Sequence, residues 1–351
     1  MKILYIAKES SPSGYSNVVK RNIQLLYAVA GRSNVKIIKL PKTSLKNAFS
    51  SLMRRSSYGV SLKYEKRIIH EAIQGNYDIV FFESISYIGI IKALNKHSII
   101  SVCFIHNVDC VFFKQRYDYS NSLIAKLQYK FLSYLEKRGM NLAKHIICLT
   151  ERDKELIKEI YGRSADMIIP VTESLKKFKH VNSPAKEPYL LFVGANFFAN
   201  IASLKWFIKN VAPYVDVKIK IVGDCCVPLK SIKHLPENIE LLGYVDSIED
   251  YYINASAVIA PILSGSGMKT KTIEALSYGK YIIGSPEAFV GIDGEISNIG
   301  RLCYTAEEYI TAIGEVKFRA PFNPNSYAVF IKKYSTDSYI QPVTSFFNKI
   351  I

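Results

Sequence analysis

The order in which strand-like and helix-like stretches follow one another constrains this chain most. Short runs rich in Ile, Val, Leu, Phe and Tyr alternate with longer segments of helical period, the signature of parallel sheets with helices on both faces. The pattern runs through twice. In the first half the strand candidates are residues 2–7, 35–40, 78–82, 99–105, 145–149 and 167–169. In the second half they are 189–193, 217–222, 239–242, 257–260 and 281–283. Between Pro170 and Pro188 the period lapses into ESLKKFKHVNSPAKEP, a polar, lysine-rich stretch that reads as a linker. The 351 residues therefore predict an α/β chain of two doubly wound, Rossmann-like domains, residues 1–175 and 186–333. Two such domains are expected to face each other across a cleft lined by the carboxyl ends of their strands, where open parallel sheets bind ligands. Two helix starts carry capping boxes, Thr150 with Asp153 and Asp246 with Glu249.

Composition narrows the class. With 49% hydrophobic and 22% charged residues the chain is neither disordered nor low-complexity. The long apolar run at 77–94 is broken by Asp78, Glu83 and Lys92, so no membrane span is expected. The apolar run at 3–7 ends at Lys8 and Glu9, too short for a signal-peptide core, and points to a cytoplasmic protein. Six scattered cysteines form no CxxC pair and no Cys/His cluster at zinc spacing, so they read as buried thiols and no metal is expected.

A net charge of +16 asks for an anionic partner, either nucleic acid, nucleotide or an acidic membrane face. Residues 32–67 hold ten basic side chains against one acid, Glu65. The helical segment 122–141 sets Ile124, Leu127, Phe131, Tyr134 and Leu135 on one stripe, which by itself reads as a core-facing stripe. Together with Lys126, Lys130, Lys137 and the basic stretch, it points to a first domain resting on anionic lipid. No basic and aromatic recognition module is visible, so nucleic acid is not the expected partner.

The most informative chemistry lies in GSGMKTKTIEAL. A glycine loop at 264–267 leads into a helix with Lys269 and Lys271 in its first turns and Glu274 one turn later. Such a loop lets backbone amides approach an anion, while the helix dipole and two lysines add positive charge. Glu274 is spaced to accept hydrogen bonds from a vicinal diol such as ribose. On spacing alone the same residues read equally well as a solvated helix face.

The whole segment 243–292 resembles the donor-binding region of the glycosyl transferases group 1 family, retaining enzymes of the GT-B fold that use nucleotide-sugar donors. The stretch LLFVGANFFANIASLKWFIKNVAP, with Gly194, Asn200 and Trp206, is similar to the start of that family's carboxyl-terminal domain. IVGD, with Gly223, and GYVD, beginning at Gly243, are further similarities.

The resemblance implies that Lys271 binds the donor diphosphate with Lys269 beside it, and that Glu274 holds the ribose hydroxyls. Gly223, Tyr244 and Val245 would line the base pocket, and Gly194, Asn200, Gly265, Ser266, Gly267 and Met268 would complete the donor site. The family's pattern of two glutamates eight apart is broken, since Ser266 stands where the first belongs; sugar identity therefore stays open.

In the first half KESSPSGYSNVVKRNIQLL resembles the family's glycine loop and first helix, with Gly14 followed by Tyr15 where a second glycine is usual. FIHNVDCVFF places His106 where the family commonly has a histidine near the transferred sugar; Asp109 is a secondary candidate that could equally cap a loop. Residues 334–351 look like the family's terminal helix, which returns to the first domain. The implied activity is metal-independent sugar transfer with anomeric retention, from a nucleotide sugar to a glycan or lipid-linked acceptor, with no cofactor besides that co-substrate. The implied setting is surface polysaccharide or glycolipid assembly at the inner face of the cell membrane. A catalytically silent binding subunit and a nucleotide-sugar epimerase of related fold are the alternatives.

Overall fold

The computed structural model describes residues 1–9, 14–183, 185–265, 267–292, 294, 296–316 and 319–351. The chain forms two units, Met1–Pro170 with Thr336–Ile351, and Val171–Ser335.

The first unit is built on β1 (Ile3–Lys8), β2 (Val35–Leu40), β3 (Ile79–Phe82), β4 (Ile100–Ile105), β5 (His145–Cys148) and β6 (Met167–Ile168). All pair in parallel, in the order β2-β1-β3-β4-β5-β6. Strands covered on both faces need apolar side chains in both directions, and β1 and β3 accordingly read ILYIA and IVFF without a break. Sheet order reverses beside β1, which opens a crevice at the carboxyl ends of β1 and β3. The chain's last helix, Asp337–Ile350, belongs to this unit: Phe347 is fully buried and sets its ring edge-on to Phe81, 6.5 Å away.

The second unit repeats the plan with β7 (Tyr189–Val193), β8 (Lys218–Val222), β9 (Ile239–Gly243), β10 (Ala257–Ala260), β11 (Ile282–Gly284) and β12 (Gly300–Leu302). Their order is β12-β11-β10-β7-β8-β9, again parallel, and the reversal falls between β7 and β10.

Three local expectations are corrected. The helix Leu123–Leu142 turns Ala125, Leu132, Leu135, Glu136, Gly139 and Met140 inward, while Ile124, Leu127 and Tyr134 of the expected core stripe face solvent. The reason is tertiary: a Cβ on Gly139 would sit 2.3 Å from the Ile85 carbonyl oxygen, so the loop after β3 packs directly on that face. Asp246 does not cap the helix Glu249–Asn254, because Ser247 Oγ accepts the Glu249 amide instead. β12 was not expected, as Arg301 interrupts its apolar run. The other box forms as read, Thr150 Oγ1 accepting from the Asp153 amide at 3.0 Å.

Candidate functional site

In the second unit the candidate residues gather where the sheet order reverses. Gly194 directly follows β7 and Gly223 directly follows β8, and these two backbones abut: a Cβ on Gly223, whose φ is +106°, would lie 2.3 Å from the Gly194 carbonyl oxygen. Only residues without a side chain allow that approach. The helix Phe198–Asn210 follows Gly194, and its Asn200 donates Nδ2 back to the Ala195 carbonyl at 2.9 Å.

Lys271 enters from the helix Thr270–Ser277, which follows β10. Its Nζ donates to Asn200 Oδ1 at 2.7 Å and stands 4.1 Å over the Phe192 ring. Desolvation pulls its ammonium down to about 7, and the like charge of Lys269 acts the same way. A half-buried lysine held by one neutral amide and one ring face has capacity left for an anion. Lys269 holds the N-cap position of the same helix without capping it by side chain; its Nζ donates to Glu287 Oε1 at 2.7 Å and to the Gly267 carbonyl. Glu274, one turn beyond Lys271, accepts from Tyr252 Oη at 3.3 Å and lies 3.9 Å from Lys176 Nζ. Tyr252 stacks on Tyr278 at 4.8 Å, and Lys176 covers the Tyr278 ring at 4.1 Å.

Gly223 donates its amide to the Gly243 carbonyl, which brings the ends of β8 and β9 together beside the strongly exposed Tyr244, with Val245 next in the chain. Met268 is buried and its sulfur accepts the Val171 amide. Gly265 approaches Lys269, and Gly267 turns in the left-handed region. Ser266 lies outside the described residues.

In the first unit His106 directly follows β4. Its Nε2 meets Glu83 Oε2 at 2.5 Å, and its ring packs between Tyr15 at 4.8 Å and Phe104 at 5.1 Å. Glu83 is almost wholly buried. Its other oxygen accepts from Tyr5 Oη and from Asn22 Nδ2 at 2.9 Å, so the carboxylate is held by β1, the first helix and β4 at once. Burial, with the Glu83 charge adding, raises Tyr5 and Tyr15 and keeps both protonated. Together Glu83, His106, Lys8, Asp109 and Phe113 line a cavity of about 300 Å³ at the crevice of this sheet. Asp109 begins the helix Asp109–Ser120; burial, then the Glu136 charge, pushes its carboxyl well above the usual range. Gly14 begins the helix Gly14–Ala30, next to Tyr15. Among the described residues no three His, Cys, Asp or Glu side chains come together as a metal set.

Glu83, with Tyr5 and Asn22, was missed from sequence, as were Phe192 and the Tyr252/Tyr278 stack. The one available signal was an acid immediately after the uninterrupted apolar strand IVFF.

These two doubly wound units, each with polar residues gathered at its switch point, define a GT-B fold. Residues 187–316 match the model of the family described as Glycosyl transferases group 1, so the second unit carries a domain of that family. An uncharacterized 44.6 kDa protein in the cps region of Klebsiella pneumoniae is 24% identical over 291 residues, 78% of this chain and 71% of the relative. Among solved structures, sucrose-phosphate synthase from Thermosynechococcus elongatus superposes with a TM-score of 0.77 at 15% identity, covering 99% of this chain and 98% of that one. Anabaena Alr3699/HepE, in complex with UDP and glucose, gives a TM-score of 0.71 at 12% identity over 99% of both chains. Among the described residues no helix is long and apolar enough to cross a membrane.

Proposed function

We propose that the chain is a glycosyltransferase that moves a sugar from a nucleotide-sugar donor to a glycan or lipid-linked acceptor, with anomeric retention and without a metal. The observation that carries this reading is Lys271, desolvated over Phe192 and tethered to Asn200, beside the abutting glycines of a Glycosyl transferases group 1 domain. An ammonium in that position, at the start of a helix with no side-chain cap, stabilises negative charge growing on a departing diphosphate. Glu274 takes the ribose hydroxyls, and the turn at Gly243 with Tyr244 takes the base. The leaving phosphate itself accepts the acceptor's proton. His106, oriented by Glu83, serves the sugar chemistry from the first unit. The likeness to a HepE structure holding UDP and glucose supports a uridine nucleotide, and the cps-region relative supports a role in surface-polysaccharide assembly.

The test is a thermal-shift panel with UDP, GDP, ADP, CMP and dTDP on the wild type, Lys271→Ala and Glu274→Ala, since a ligand bound only by the folded state raises its stability. Stabilisation by one nucleotide that both variants abolish is expected. If no nucleotide stabilises the wild type, the donor reading fails and a silent binding subunit takes its place. Product analysis with the stabilising nucleotide's sugars then separates transfer from epimerisation.

A further inference from the structure

The polar stretch expected to be a linker is held by the second unit from Glu173 to Val181. At one end Glu173 bridges in parallel to Ser335, its amide donating to the Tyr334 carbonyl at 2.9 Å. At the other the Val181 carbonyl accepts the Phe322 amide at 3.1 Å, and the His180 ring stacks on Phe322 at 3.8 Å. Between them Phe178 sets its ring 5.3 Å from Tyr278 and edge-on to Tyr327 at 5.9 Å. Every second side chain, Lys176, Phe178 and His180, makes these contacts while Lys177 and Lys179 stand exposed, the alternation of an extended strap.

The strap delivers one ammonium to a carboxylate that another element supplies. Lys176 Nζ lies 3.9 Å from Glu274 Oε1 and 4.1 Å over the Tyr278 ring. Tyr278 stacks on Tyr252 with an angle of only 8° between the rings, and Tyr252 Oη donates to the other oxygen, Glu274 Oε2, at 3.3 Å. Burial, with the Glu274 charge adding, raises the Tyr252 phenol and keeps it a donor. The last torsion of a glutamate is broad, so a carboxylate held by one oxygen can turn its plane. Held at both oxygens, it cannot. Lys176 supplies the second hold directly and steadies the first, because its charge lies on the face of the stacked tyrosines. A vicinal diol presents two hydroxyls at a fixed separation, and it binds best to a carboxylate whose plane is set before the diol arrives.

We propose that Lys176 is a positioning residue, carried by the strap, that fixes the Glu274 carboxylate for a vicinal diol and so sets the site's preference for ribose over 2′-deoxyribose. The inference rests on the reading of Glu274 as the group that takes the ribose hydroxyls. Calorimetric titration of the full chain with UDP and with 2′-deoxy-UDP measures the preference. The variants are Lys176→Met, which keeps the stem over Tyr278 and drops the charge, Lys176→Arg, and Lys177→Ala, which loses the same charge from the exposed side of the strap. The wild type should favour UDP by about tenfold or more. In Lys176→Met the preference should shrink to about twofold, through weaker UDP binding, with 2′-deoxy-UDP held within about threefold. Lys176→Arg should restore it, and Lys177→Ala should match the wild type. Should Lys176→Met melt early, Lys176→Gln gives the same reading. Equal weakening of both nucleotides in Lys176→Met would reduce Lys176 to an anchor of the strap and overturn the proposal. UDP binding that Glu274→Ala abolishes while Lys176→Met keeps the full preference overturns this inference alone. Absence of UDP binding to the wild type sinks the uridine-donor reading beneath it, and the inference with it.

Discussion

A single lysine carries the sharpest consequence. In the free protein Lys271 titrates at about 7, because its surroundings desolvate the ammonium. A diphosphate bound as proposed would bring negative charge to that nitrogen and favour its protonated form. Binding above pH 7 therefore takes up a proton, and nucleotide affinity should fall as pH rises, approaching about tenfold per pH unit at one proton per site. Calorimetry of UDP binding at pH 8 in two buffers of different ionisation enthalpy measures that uptake, and Lys271→Arg, which cannot lose its charge, should abolish it. No difference between buffers would sink the assignment. Glu83 supplies a second test. Glu83→Gln keeps the shape but removes the charge facing His106 Nε2, so transfer should drop sharply while nucleotide affinity holds; a matching fall in both would place Glu83 in general stability instead. Lys271 was legible in sequence because loop, lysines and acid are contiguous. Glu83 was not, since its partners Tyr5, Asn22 and His106 come from three elements 23 to 78 residues away.

At the scale of elements, the carboxyl end of the second sheet, the proposed donor site, depends on the glycines that directly follow β7 and β8, Gly194 and Gly223. Gly223→Ala forces a Cβ against the Gly194 carbonyl and an L residue into positive φ. The φ alone costs about 1–3 kcal/mol, and the steric contact must also part the strands. Gly162→Ala is the control, at φ +68° with nothing within 4 Å of the added carbon, and should cost only about 1 kcal/mol. Urea denaturation compares the two, and the UDP-induced thermal shift should survive in Gly162→Ala but vanish in Gly223→Ala. Equal losses would remove the role given to the abutment. Eleven strands were legible within a residue or two, because buried parallel strands are continuous apolar runs between helical periods. The inward face of Leu123–Leu142 was not, for its sequence offers two apolar arcs. Only the packing of Gly139 on Ile85 chooses between them, and that contact is made by residues 54 apart.

At the scale of the whole molecule, the first unit is closed by a segment that follows the second unit in sequence. Asp337–Ile350 buries Val343 and Phe347, and Phe347 meets Phe81 of β3 from the opposite end of the sequence. The first unit therefore cannot complete its core until the second has been synthesised. Phe347→Ala empties a fully buried aromatic site and should cost about 3–5 kcal/mol. If each unit's core is its own, that loss belongs to the first unit alone. Hydrogen exchange resolves the question where a single melting temperature for a two-unit chain would not. Amides of β1, β3 and the helix Gly14–Ala30 should exchange about a hundredfold faster or more, the factor that 3 kcal/mol implies. Amides of β7, β8 and β10 should keep their protection, together with any further slowing that UDP confers on the helix Thr270–Ser277. Equal loosening of β7 and β8 would show that the two cores unfold as one, and would tie the donor site's stability to a phenylalanine in the other unit.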